Sequence, residues 1–200
     1  LDPGDLEASF APGRNFANKV WNAGRFTLMT LGEGPVKPLE EVSRELELAD
    51  RWILSRLSRT AAAMTQELEK FRLHDVAETA YHFFWGELAD WYLELVKPRL
   101  KGERGEASRQ AARSVLVTVL DGILRLLHPI IPFVTEELWQ KLPWAGDAVR
   151  PRVLMVAPWP EPRPEWEDPE AEGRMQALQE LITQVRRLRK EYGVPEGAQV

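Results

Sequence analysis

The sequence predicts an all-α protein, an antiparallel helical bundle over residues 1–145, followed by a partial small α/β subdomain over residues 146–200 with one long helix. Two observations predict the bundle. Apolar residues recur every three or four positions along several long segments, which is the period of an amphipathic helix. Gly and Pro mark the breaks between these segments. A proline-rich composition after Leu142 marks the start of the second part.

Composition and charge are those of a folded protein. Of its 200 residues, 44% are hydrophobic and 28% are charged, and the net charge is −5. The absence of Cys excludes disulfides and thiolate metal sites, and it fits a reducing cytoplasm, where we expect the protein to lie. No apolar run reaches the ~18 residues that span a membrane, so no membrane partner is expected. Because the chain begins at Leu1 without Met, we expect it to be a piece of a longer protein.

Helical periodicity and chain breakers predict the order of the elements. Residues 1–13 are expected to be a connector, and the first helix runs from about Pro12 to Leu31, where Gly32 ends it. The same signals predict the remaining helices at about 46–71, 74–97, 107–128, 132–142 and 169–192. The third predicted helix carries aromatic residues on nearly every side, so it is expected at the centre of the bundle.

A proline-rich stretch separates the bundle from the last helix. Within it, residues 153–157 (VLMVA) are apolar, partly β-branched and short enough for a strand. Residues 198–200 have the pattern of a second strand that begins at the end of the chain. Together with the long helix, these two strands predict the partial α/β subdomain.

The first helix sorts into two faces at about 100° per residue. One arc is apolar and is expected to face the core. The other holds cations and amides, with no carboxylate between residues 12 and 31, and Phe26 lies in its middle. Stacking on an unpaired nucleobase requires an exposed ring with such neighbours, because cations meet phosphates and amides read base edges. The alternative is that Phe26 packs beneath another helix or another domain.

The sequence contains no recognisable catalytic or metal-binding constellation. His74, His82 and His128 lie on different segments without metal-site spacing, and His82, among aromatic residues, is expected in the core. There is no phosphate-binding glycine loop and no nucleophile elbow. The basic run 185–190 (VRRLRK) is interpreted as a solvated or partner-binding face rather than an RNA site. The chain by itself is therefore expected to be a binding module, with no cofactor and no metal.

Four stretches resemble one family, in the same order along the chain. They are GRNFANKVWNAGRF (13–26), LADRWILSRL (48–57), ELADWYLELVKPRL (87–100) and LLHPIIPFVTEELWQKL (126–142). Over about residues 12–145 they look like the anticodon-binding helical domain of class I aminoacyl-tRNA synthetases for aliphatic amino acids. Within that family the first stretch is most similar to the valyl enzymes, and the isoleucyl and leucyl enzymes are the alternative.

The resemblance implies recognition of a tRNA anticodon loop within an enzyme that activates valine with ATP and magnesium and joins it to its tRNA. The catalytic signatures of the family, Lys-Met-Ser-Lys-Ser and His-x-Gly-His, are absent from this sequence. The chain is therefore expected to lack the catalytic site. Its expected partners are tRNA and the catalytic domain of the whole enzyme, which is expected to be a monomer.

The resemblance also implies roles for individual residues of the first helix. Phe26 would stack on an unpaired anticodon base. The residues expected to contact the same loop are Arg25, Lys19 and Asn22, with Asn15 and Arg14 as weaker candidates. Arg14 can instead pair with a carboxylate. Residues 90–94 and the HPIIPF elbow are expected to be structural, and Gly24, where the family often has Ala, is expected to permit close packing.

A helical protein-interaction module of another class is the remaining alternative. In that case the same face of the first helix would bind a protein. Salt dependence separates the two hypotheses, because RNA binding weakens steeply as the salt concentration rises. The docking of an apolar protein face does not.

Overall fold

The computed structural model describes residues 3–32, 34–143 and 151–195. In those residues the α-helices are α1 (Pro3–Leu31), α2 (Leu48–Glu69), α3 (Leu73–Tyr81), α4 (Leu93–Leu100), α5 (Glu106–Leu127), α6 (Pro132–Trp139) and α7 (Pro169–Glu191). A π-helical segment, His82–Tyr92, continues α3 into α4, so residues 73–100 form one continuous helix. Short 3-10 helices occur at Leu39–Glu45, Leu154–Val156 and Pro164–Trp166. The predicted all-α fold is confirmed.

The first helix is longer than the sequence predicted. It begins at Pro3 and runs through Pro12, so the expectation of a connector over residues 1–13 was wrong for the described part of that segment. A proline inside a helix removes one backbone hydrogen bond and was therefore taken as a boundary. The Leu, Glu and Ala residues that precede Pro12 are strong helix formers, and they favour continuation of the helix.

The strand predicted at residues 153–157 was also wrong. Residues 154–156 form a 3-10 helix, and no strand occurs in the described ranges. Leu154 is buried, and its N–H donates a hydrogen bond to Glu136 Oε2 at 2.8 Å instead of to a neighbouring strand. The second predicted strand, at 198–200, lies outside the described residues. The predicted α/β character of this part is therefore unsupported, whereas its long helix is confirmed as α7.

The core lies around α2, α5 and the π-helical segment, each of which contributes several fully buried apolar residues. Phe83, Phe84 and Tyr92 are among the largest fully buried side chains, which confirms the central position predicted for the aromatic-rich helix. Gly24 lies where α1 packs against α6, and a Cβ at this position would lie 2.5 Å from Leu138 Cδ1. Its lack of a side chain therefore permits the close packing that the sequence led us to expect.

His82 contradicts the expectation that it belongs to the core. Its side chain is 69% exposed, and its Nε2 lies 3.6 Å from Glu78 Oε1. The next residue, Phe83, is buried. Successive side chains of a helix point in directions that differ by roughly a quarter turn or more. Aromatic neighbours in the sequence therefore did not bury the imidazole.

A buried polar network joins two of the stretches that carry the family resemblance. Asp50, in α2, accepts hydrogen bonds from Tyr92 Oη at 2.7 Å and from Arg99 Nη1 at 2.6 Å, and all three residues are almost inaccessible to solvent. Arg99 Nε also donates to Ser108 Oγ at 2.8 Å, in the first turn of α5. Burial raises the pKa of Tyr92 well above its ordinary value, and the nearby Asp50 carboxylate acts in the same direction. The network fixes α2, the residue 73–100 helix and α5 relative to one another.

The first turns of α7 bind the polar side of α2. Glu172 accepts hydrogen bonds from Ser55 Oγ and from Arg59 Nε, the latter at 2.8 Å, and Arg56 Nη1 lies 3.5 Å from its carboxylate. The cations Arg56 and Arg59 of α2 therefore hold α7. Farther along α7, apolar side chains such as Leu181 are exposed. None of the described helices combines the length and apolar character needed to span a membrane.

Candidate nucleic-acid interface

Helix α1 turns one face to the bundle and the other to solvent, as the helical wheel predicts. Val20, Thr27 and Leu31 of the apolar arc are buried. Phe16 and Trp21 of the same arc are partly buried against the core. The amides and cations of the opposite arc therefore line the outer surface of α1.

The Phe26 ring lies on this outer surface. It is 43% exposed, so it is not buried beneath another helix of the described chain. The ammonium of Lys97, in α4, lies 5.2 Å from the ring centroid. The remaining ring surface is accessible, and an accessible ring can stack on a nucleobase because every base has a π-face.

Three asparagines line an open depression beside the N-terminal half of α1. The depression has a volume of about 710 Å³, and Asn15, Asn18 and Asn22 contribute to its wall together with Lys19 and Tyr81. Each carboxamide offers two N–H donors and a carbonyl acceptor. All three asparagines are exposed. This wall can therefore form hydrogen bonds with the edges of unpaired bases.

The cations of this region lie against aromatic rings. Lys19 Nζ is 3.5 Å from the centroid of the Trp85 ring, in the π-helical segment. The guanidinium of Arg25 is 5.9 Å from the centroid of Trp21. Lys141, which follows α6, lies 5.6 Å from the same ring. Lys19 and Arg25 therefore lie beside ring faces, which attract a cation without neutralising its charge, whereas Lys141 also forms an ion pair with Glu137 at 2.5 Å.

A model of the anticodon-binding domain of tRNA ligases matches residues 50–200. The chain belongs to this family. It is 48% identical to the valine–tRNA ligase of Carboxydothermus hydrogenoformans over 91% of the chain, and 44% identical to that of Thermotoga maritima over all of it. These alignments cover 20% and 21% of the two relatives, so the chain spans about a fifth of the length of the curated relatives that it matches. Helix α1 lies before the matched residues of the family model but within the alignment with the Thermotoga protein.

Arg14 of this anticodon-binding domain takes the alternative that the sequence left open. Its Nη1 lies 3.5 Å from Glu7 Oε1, and both side chains are largely exposed. An exposed ion pair of this kind contributes little to stability and is readily exchanged for another partner. Arg14 can thus contact a phosphate by exchanging Glu7 for it.

Sequence reasoning missed the parts of the anticodon-binding domain that lie beside α1 but belong to other helices. The aromatic-rich helix was predicted to be central without singling out Trp85 and Tyr81, and both are only partly buried and face α1. Lys97 was read as the end of a helix. The signal available in the sequence was that Lys97 lies next to Pro98 within one of the four stretches that resemble the family. No local pattern, however, links Lys97 to Phe26.

The other candidates outside α1 add no chemistry. Among the described residues, no three His, Cys, Asp or Glu side chains are grouped so that they could hold a metal ion. The basic run of α7 (185–190) lies on a helix that packs against α2, and Arg186 lies 5.6 Å from the Trp91 ring centroid. The outer surface of α1 combines an exposed ring, amides and cations.

Proposed function

We propose that this chain is the part of a valine–tRNA ligase that recognises the anticodon loop of valine tRNA. Membership of the anticodon-binding family and the names of relatives that are 43–48% identical support this proposal. In the whole enzyme, valine would be activated with ATP and transferred to the tRNA. The residues of this chain would bind and orient the tRNA, and they would take no part in the chemical step.

The observation that carries the proposal is the exposed Phe26 ring on the outer arc of α1, which has no carboxylate between residues 12 and 31. In this role Phe26 stacks on one unpaired anticodon base, and Arg25 and Lys19 meet phosphates of the loop. Asn22 and Asn15 form hydrogen bonds with base edges in the adjacent depression. Arg14 joins them only when it leaves Glu7.

ATP and magnesium belong to another part of the whole enzyme in this proposal. The described residues hold no group suited to a metal ion, and the sequence has no phosphate-binding glycine loop. We further propose that residues 1–145 and 146–200 are separate domains, and that the enzyme acts in the cytoplasm as a monomer. Its catalytic domain would be the second partner of this chain.

Replacement of Phe26 in the full-length enzyme tests the proposal. Phe26→Ala should reduce kcat/KM for charging of valine tRNA by about fivefold to more than a hundredfold. The reason is that the loss of one stacked base removes about 1–3 kcal/mol of binding free energy. Phe26→Trp, which keeps an aromatic face, should retain most of the activity. Valine-dependent exchange of pyrophosphate into ATP, measured without tRNA, should not change.

A matched control is Phe133→Ala, since Phe133 is another exposed phenylalanine, on α6. It should charge tRNA normally. Normal charging by the Phe26→Ala enzyme would reject the stacking role. Charging of isoleucine or leucine tRNA in place of valine tRNA would favour another member of the family, and binding that does not respond to salt would favour a protein partner.

A further inference from the structure

Lys97 lies against the ring that the proposed function uses. Its Nζ is 5.2 Å from the Phe26 ring centroid, and the same atom lies 2.5 Å from Glu94 Oε1, one turn earlier in α4. Only about a third of the Lys97 side chain is exposed. The ammonium is therefore held between a carboxylate and an aromatic ring that belongs to another helix.

An ammonium beside an aromatic ring has two physical effects. It is attracted to the negative face of the ring, which restrains the rotation of an otherwise exposed phenylalanine side chain. It also limits which side of the ring remains open to a ligand. A ring that is already held in place loses less conformational entropy when a base binds to it.

Building on the proposed function, we propose that Lys97 is a positioning residue for Phe26, one that holds the ring so that a single unpaired base stacks on its open side. The ion pair with Glu94 satisfies the charge of Lys97. Lys97 therefore does not act as a phosphate contact. Lys97 affects RNA binding only by holding the Phe26 ring in position.

A double-mutant cycle in the full-length enzyme tests this role, with kcat/KM for charging of valine tRNA as the measured quantity. Lys97→Met keeps the length of the side chain and removes the charge. It should reduce kcat/KM by about two- to fivefold when Phe26 is present, the range expected for one exposed cation–π pair. In the F26A background the same substitution should have almost no effect, because the ring on which it acts is gone.

Two further variants separate positioning from other roles. Lys97→Arg retains a cation over the ring and should restore most of the loss. Lys101→Met, which removes an exposed lysine one turn later, is the matched control and should charge tRNA normally. Lys97→Met should also leave the slope of log K against log salt unchanged for binding of the tRNA, because no phosphate contact is lost.

The possible outcomes are distinct. Full activity of Lys97→Met, or an equal loss with and without Phe26, would overturn the positioning role. A reduced salt slope would make Lys97 a phosphate contact instead and would also overturn it. Normal charging by Phe26→Ala would overturn the proposed function itself, whereas a defect of Phe26→Ala that is uncoupled from Lys97 would leave the proposed function standing and reject only this inference.

Discussion

The carboxylate of Asp50 and the guanidinium of Arg99 form an ion pair, 2.6 Å long, in the interior of the bundle. Tyr92 Oη and the backbone N–H of Glu47 also donate hydrogen bonds to this carboxylate, at 2.7 and 2.9 Å. Neither charged group is in contact with solvent, so neither can be hydrated if its partner is removed. The stability of the packing between α2 and the residue 73–100 helix is therefore sensitive to single substitutions in this ion pair.

Asp50→Ala should lower the free energy of unfolding of the chain by about 3–5 kcal/mol, because the buried Arg99 loses its nearest carboxylate and is left with Glu47 Oε1, 3.3 Å from its Nε. Urea denaturation followed by circular dichroism measures this change. Asp90→Ala, at an exposed position of the π-helical segment, is the control and should change stability by less than about 0.5 kcal/mol. A loss at Asp50 no larger than the loss at Asp90 would contradict the structural role of the network.

The raised pKa of Tyr92 predicts a loss of stability at alkaline pH. The folded state holds the phenolic proton, whereas the unfolded chain releases it near the ordinary pKa of about 10. Tyr92 therefore contributes its full stabilisation below pH 10. Above that pH the contribution falls by about 1.4 kcal/mol per pH unit until the folded-state pKa is reached.

Comparison with Tyr92→Phe isolates this effect from the titration of other groups. The difference in unfolding free energy between the two proteins should be constant from pH 7 to about pH 9.5 and should shrink at higher pH. Unfolding curves collected at several pH values measure it. A difference that stays constant at high pH would mean that Tyr92 titrates alike in the folded and unfolded chain.

Arg25→Gln should weaken binding of valine tRNA to the full-length enzyme and reduce its salt dependence. The loss of one phosphate contact to a single-stranded loop lowers the slope of log K against log salt by about 0.7. Filter binding or anisotropy over a range of potassium chloride concentrations measures this slope. Arg44→Gln, at an exposed arginine outside α1, should leave the slope unchanged. An unaltered slope for Arg25→Gln would show that Arg25 meets no phosphate.

Glu172→Ala should loosen α7 from α2. It removes the acceptor of Ser55 and Arg59 and leaves Arg56 with Glu87 alone, at an expected cost of about 1–2 kcal/mol in unfolding free energy. Hydrogen exchange of the first turns of α7 should become faster, and thermal unfolding should occur at a lower temperature. Glu170→Ala, an exposed neighbour in the same turn, should change neither measurement. Unchanged exchange in Glu172→Ala would show that other contacts hold α7.

The helices could be predicted because they follow from local periodicity. A helical wheel requires only the order of the residues, and it placed Val20 on the apolar arc and Phe26 on the polar arc, but it left open whether another helix covers Phe26, which is 43% exposed. Whether Phe26 binds a base stays a prediction. Gly24 was also explained in advance, since a glycine in mid-helix is costly unless a neighbour such as Leu138 needs the space.

The contacts between distant segments could not be predicted in the same way. Lys97 and Phe26 are 71 positions apart in the sequence, and no local pattern brings an ammonium to a particular ring. The buried position of Arg99 depends likewise on Asp50 from another helix. The predictions for His82 and for residues 153–157 were wrong for a related reason, because both relied on local composition. The burial of His82 depends on the direction of its side chain, and a strand at 153–157 would need a second strand to pair with.

The attachment of α7 by its first turns has a mechanical consequence. The helix extends about 29 Å beyond Glu172, so a tilt of about 10° at Glu172 would displace its far end by about 5 Å. The polar contacts of Glu172 and the burial of Ala171 and Met175 hold the helix near this pivot, whereas Arg186 contacts the Trp91 ring farther along. Small adjustments among Ser55, Arg56 and Arg59 would be amplified with distance, and Tyr192 would travel farthest.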